Sequence, residues 1–150
     1  MSATVAATVV AGFGGSFGLY WYQRRKKRQR VRKALIAELK ATGDRIDTMA
    51  GHIKRNHNPS EGEFIFPSSD PFVTHAYEAN VSDISLLSEP EVAALTDYYA
   101  RVTIARNMIE ACRSADEPPK QVLDPLGEYI LSLSNDRLDV IGTFENTYED

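Results

Sequence analysis

The chain has 150 residues, with 17 Lys and Arg against 21 Asp and Glu, a formal net charge of −4 and a single cysteine. One cysteine rules out an intrachain disulfide framework, and the length suits one modest domain rather than several. The mean charge hides a division. Residues 1–23 have no charged side chain, residues 24–33 (RRKKRQRVRK) hold eight Lys or Arg, and every acidic residue follows, so residues 34–150 carry a formal −12. An acidic segment of that kind is a poor partner for nucleic acid.

Residues 3–22, ATVAATVVAGFGGSFGLYWY, form an uncharged run of about 30 Å as a helix, the thickness of a bilayer core. The run ends in Tyr20, Trp21 and Tyr22, whose amphipathic rings favour the headgroup level. The basic block follows at once. A cleaved signal peptide carries its positive charge before the apolar stretch, whereas here the charge comes after. The order predicts a single-pass transmembrane anchor over residues 1–23 in a cell membrane. By the positive-inside rule the N-terminus lies outside and the C-terminal domain is cytoplasmic.

Within the run, small residues recur at a spacing of four: Ala3, Ala7, Ala11 and Gly15, and Gly14 with Gly18. Such ladders let a second helix approach closely. Ala7, Ala11, Gly14, Gly15 and Gly18 are therefore candidate docking positions in the membrane, for self-association or for another subunit. Trp21, Arg24, Arg25, Lys26, Lys27, Arg28 and Arg30 are candidate contacts to anionic lipid headgroups. The competing interpretation of RRKKRQR is an arginine-rich nucleic-acid arm or import signal. Its place directly after an apolar run favours a lipid-contact flank, and nucleic acid is the weaker choice of partner.

Residues 24–33 then read as a basic juxtamembrane segment and residues 34–150 as an acidic helical domain. A helix is expected over 31–56, running on from the span with little interruption. Leu35, Leu39, Thr42, Ile46, Met49 and Ile53 form its stripe. This stripe fits one helix of a monomeric bundle better than an intersubunit coiled coil, because it is short and Gly43 weakens it. Residues 57–71 (HNPSEGEFIFPSSDP) are loop-like, with Phe64, Ile65 and Phe66 expected to pack back onto the helices. Asp70 followed by Pro71 predicts a short helix over 71–80.

Ser88 and Glu91 have capping-box spacing, and Pro90 fits a first turn. A helix to about Arg113 is expected, with Val92, Leu95, Tyr99, Val102, Ile109 and Cys112 on one stripe and Arg106 interrupting it. A final helix over 120–141 would bury Leu123, Leu126, Tyr129, Ile130, Leu133, Leu138 and Ile141. Pro125 falls in its first turns, a break is expected at residues 134–136, and the last eight residues read as a frayed acidic tail. No alternating strand pattern occurs, so the expected fold is all-α: an N-terminal transmembrane helix followed by a small helical bundle.

The stretch from Phe72 to Met108 contains Tyr77, Glu78, Asn80, Leu86, Leu87, Ser88, Glu91, Val92, Tyr98 and Tyr99 in the order YExN…LLSxxEV…YY. It resembles a pattern of small uncharacterised prokaryotic membrane-anchored helical proteins, archaeal ones among them. The resemblance covers about a quarter of the chain. It implies a helical domain behind a membrane anchor and no particular activity.

The residues offer little for catalysis. His52 and His57 are five apart, a poor spacing for one helical face, and His75 stands alone, so no metal or cofactor is expected. Cys112 has no CxxC partner and sits on an apolar stripe, as a buried small hydrophobe does. No phosphate-cradling glycine loop or nucleophile elbow is present. The sequon Asn80-Val81-Ser82 would face the cytoplasm and stay unmodified. The function expected is a non-enzymatic scaffold or protein-interaction domain whose protein partner the sequence does not name. The alternatives are an accessory structural subunit of a larger membrane complex or virion membrane, and the arginine-rich nucleic-acid binder.

Overall fold

The computed structural model describes the backbone of residues 3–55, 69–114 and 120–147, and the side chains of 18–53, 69–114 and 121–147. Among the described residues, four α-helices and one 3-10 helix follow in the order α1 (Ala3–Arg55), α2 (His75–Asn80), η1 (Val81–Leu86), α3 (Glu89–Ser114) and α4 (Lys120–Asn146). The fold is all-α, a helical bundle. Helix α4 packs against both α1 and α3, and α2 and η1 pack against α1. Among the described residues no helix is long and apolar enough to cross a membrane. The side chains of residues 3–17, on which most of the expected span falls, lie outside them.

Helix α1 is a single element of 53 residues, about 80 Å long at 1.5 Å per residue. Between Leu19 and Thr42 it contains neither glycine nor proline, so nothing in that stretch invites a kink. Its expected stripe is buried at every position: Leu35, Leu39, Thr42, Ile46, Met49 and Ile53. These residues pack within one chain, as in a bundle. The stripe also extends backwards. Val31 and Arg32 are buried too, so packing begins inside the basic block, before residue 34. Gly43 has a positive role: a Cβ there would lie 2.5 Å from the Arg137 guanidinium, whose Nη1 donates to the Leu39 carbonyl at 3.2 Å. The missing side chain lets an arginine of α4 cross α1.

The short helix starts later than its sequence suggests. Residues 71–74 are not helical and α2 begins at His75. The Asp70 carboxylate does not cap a helix. It accepts from the Phe72 amide at 3.0 Å and from Arg106 Nε at 2.8 Å. Arg106 also donates to the Phe72 carbonyl and to Thr74 Oγ1, which holds the connection from Asp70 to Thr74 across α3. The interruption in the α3 stripe is thus the anchor point of this connection. Pro59, Phe64, Ile65, Phe66 and His57 lie outside the described residues.

Helix α4 corrects three further expectations. Residues 134–136 do not break it. Ser134 donates to Asp47 of α1 at 2.8 Å, and Asp136 pairs with Arg101 of α3 at 2.5 Å, so the polar residues dock the helix on both neighbours. Leu138 is 55% exposed, because the inward positions are Leu126, Ile130, Leu133, Val140 and Phe144, and 138 falls off that stripe. The C-terminal residues do not fray from position 143: the helix runs to Asn146 and Phe144 is fully buried. Phe144→Ala is expected to lower unfolding free energy by about 3–5 kcal/mol. Leu138→Ala should stay within about 0.5 kcal/mol. Denaturant titration followed by circular dichroism measures both.

Candidate functional site

Leu19, Tyr20, Trp21 and Tyr22 are the most exposed run of large apolar side chains among the described residues, between 56% and 68% exposed. They occupy α1 just before it enters the bundle. Arg24, Arg25, Lys26, Lys27 and Arg30 are exposed beside them, and the Lys26 ammonium lies 4.8 Å from the Tyr22 ring centroid, a cation–π distance. Of the candidate docking positions, Gly18 is exposed, with no atom within 4 Å of where a Cβ would sit. Ala7, Ala11, Gly14 and Gly15 belong to α1, but their side chains lie outside the described residues.

Arg28 and Arg32 of the same block turn inward. Arg32 Nε lies 2.8 Å from Glu91 Oε1, with Glu91 fully buried. Arg28 Nη2 reaches Glu91 Oε2 at 3.3 Å, and Lys27 pairs with Asp83 of η1 at 2.7 Å. Arg28 therefore serves the bundle as well as the surface. Glu91 also accepts from the Ser88 amide at 2.7 Å and from the Ser88 hydroxyl at 2.8 Å. The first of these is one half of the expected capping box. Arg32 donates in addition to the Phe144 carbonyl near the end of α4, where a cation suits the helix dipole. One arginine of α1 thus meets the start of α3 and the end of α4, and the three helices are joined where α1 leaves the bundle.

The sequence held a signal for this arrangement. Arg28 and Arg32 continue the α1 stripe backwards from Leu35 at helical spacing, and Glu91 heads the α3 stripe Leu95, Tyr98, Val102 and Ala105. Opposite charges at the matching ends of two apolar stripes point to a buried pair.

A second buried carboxylate, Glu38, holds α2. It accepts from the amides of Ala76 and Tyr77 (3.1 Å for Tyr77) and from the Tyr99 hydroxyl at 2.6 Å. The first-turn donors of α2 are thus satisfied from another helix. That matters because α2 has only six residues and buries none of them, too little to be stable alone. Tyr77 stacks on Tyr99 with ring centroids 3.8 Å apart. Burial, reinforced by the bond to Glu38, pushes the Tyr99 phenol above its usual range. Tyr98 is buried as well, and its hydroxyl has no hydrogen-bond partner among the described residues.

Cys112 is buried, and desolvation raises its thiol pKa, which disfavours the reactive thiolate. His52 and His75 are exposed, and no group of three or more His, Cys, Asp or Glu able to hold a metal occurs among the described residues. Asn80 donates its amide to the Ala76 carbonyl at 2.7 Å.

Grooves open on the surface among the described residues. One of about 300 Å³ lies between α2 and α3, against Tyr77, Tyr99 and Arg106. Another, about 370 Å³, lies between the basic collar of α1 and η1, lined by Tyr20, Gln23, Arg24, Lys27, Asp83, Ser85 and Leu86. The chain matches no known protein family, no curated protein and no solved structure.

Breaking a buried pair by removing one partner leaves an uncompensated charge. Arg32→Met or Glu91→Leu alone is expected to cost about 3–5 kcal/mol. The double substitution should cost clearly less than the sum of the two. A double-mutant cycle in denaturant checks this, and additive losses would show that the pair is not coupled.

Proposed function

We propose that the protein is a membrane-anchored helical scaffold. Helix α1 crosses a bilayer over residues 3–22 with its N-terminus outside, and carries the bundle directly on the cytoplasmic face as a platform for a protein partner. The observation that carries this reading is the continuity of α1. The uncharged run, the aromatic trio, the basic collar and the core stripe follow one another on one unbroken helix. Leu19, Tyr20, Trp21 and Tyr22 are exposed on that helix. Seating them in an interface removes apolar surface from water and leaves the ring polar groups hydrated. The exposed cations next to them suit the anionic inner leaflet, at about 1 kcal/mol each near the surface.

A stalk of this kind lacks a hinge. The bundle then keeps a fixed height and tilt over the leaflet, which suits a partner that must be held near the membrane. Acidic residues dominate the rest of the chain, so basic protein surfaces fit the platform better than nucleic acid does.

Gly18 supports a second reading, an accessory subunit of a larger membrane assembly. Its open surroundings leave room for the close approach of a second helix. Replacing Gly14 and Gly18 with leucine would then disrupt assembly, and unchanged migration in native gels would count against it.

Alkaline carbonate extraction tests the anchor. The full chain should stay in the membrane pellet, while a chain beginning at Arg24, which keeps Arg28 and Arg32, should be released with its helix content retained. Release of the full chain would remove the anchor.

A further inference from the structure

The groove between α1 and η1 spans a particular depth. Tyr20 belongs to the aromatic trio and Lys27 lies seven residues further on, about 10 Å along the helix. A headgroup layer is roughly 5–8 Å thick on each side of the bilayer core. If α1 spans the membrane as proposed, the groove therefore lies at the level of the lipid phosphates.

Its lining is selective in charge. Arg24 and Lys27 bring two cations and Asp83 one carboxylate, a formal balance of +1. Asp83 grips Lys27 at 2.7 Å and so fixes one cation at the groove wall. Gln23, Ser85 and Tyr20 add neutral donors, and Leu86 adds an apolar wall. A single positive charge matches a phosphodiester, which carries one negative charge. A phosphomonoester carries about −1.5 to −2 and would meet Asp83 with excess charge.

We propose that this groove holds the headgroup of a monoanionic phosphodiester lipid of the phosphatidylglycerol type. The inference rests on the proposed membrane anchor and adds η1 as a second contact with the leaflet. The lipid phosphate sits against Arg24 and the free face of Lys27, and the headgroup hydroxyls meet Gln23 and Ser85. Arg25, Lys26 and Arg30 are exposed on the same collar but do not line the groove. They contribute diffuse attraction only.

The test uses the full chain in phosphatidylcholine vesicles containing a minority of phosphatidylglycerol. The protein is repurified in mild detergent, and retained phosphatidylglycerol is counted by native mass spectrometry. Two matched pairs separate a groove from diffuse charge. Ser85→Glu places a negative charge in the groove, and Ser82→Glu places the same charge elsewhere on η1. Arg24→Gln removes a groove cation, and Arg25→Gln removes a collar cation outside it.

Ser85→Glu and Arg24→Gln should each lower retention roughly fivefold, the factor that corresponds to about 1 kcal/mol for one interfacial charge. Ser82→Glu and Arg25→Gln should leave it near the unaltered level. Equal effects within each pair would overturn the groove in favour of diffuse attraction. Displacement by excess glycerophosphoglycerol, the soluble phosphodiester headgroup, at constant ionic strength would overturn it in favour of a soluble ligand. A full chain that fails to enter vesicles of either composition would overturn the anchor itself, whereas one that enters and retains no phosphatidylglycerol overturns the groove alone.

Discussion

A carboxylate with no access to water sets the geometry of this protein. Glu91 is fully buried, and a charge in that position is tolerable only when paired and hydrogen-bonded. Arg32, Arg28 and both polar groups of Ser88 supply the partners. Because Arg32 also reaches the carbonyl of Phe144, the pair fixes α1 against the first turn of α3 and the last turn of α4 at once. Apolar stripes alone would allow the helices to slide by one turn. A buried ion pair at one end allows a single register, since any slip strands a charge.

The same end of the bundle is where α1 emerges with its aromatic and basic collar. Structural and surface roles are therefore interleaved along the basic block rather than divided between segments. Arg28 and Arg32 lie on the inward side of the helix, and Arg24, Arg25, Lys26 and Arg30 remain outside. The shorter elements depend on similar latches. Helix α2 and η1 bury no residues of their own. Glu38, Arg106 and Lys27 hold them and the connection before them with polar bonds, so what stands beside the collar is positioned from α1 and α3.

Much of this fold was legible in the sequence. The stripe from Leu35 to Ile53, the helix start at Ser88 and the absence of strand alternation each follow from spacing and capping chemistry. The differences have physical causes. Acidic neighbours make Phe144 look like part of a tail, yet its spacing from Val140 continues the buried stripe. The apolarity of Leu138 suggests a core position, although it lies off that stripe. Asp70 precedes a proline as a cap does, but Arg106, 36 residues away, claims its carboxylate. For Phe144 and Leu138 helical spacing outweighs local composition, and for Asp70 a long-range partner does. The latch at Glu38 is the least legible part, because a buried carboxylate looks like a solvated one until its partners are placed around it.

Trp21, the only tryptophan, stands at the junction between the uncharged run and the collar, and its fluorescence reports directly on whether α1 spans a bilayer. The full chain would be reconstituted into vesicles whose lipids carry bromine at different depths along the acyl chain. If α1 crosses the membrane with its collar at the headgroups, bromines closest to the headgroups quench Trp21 most strongly and deeper ones progressively less. Emission that no brominated lipid quenches would contradict a membrane-spanning α1, and the helix would then carry its aromatic collar in water or against another protein.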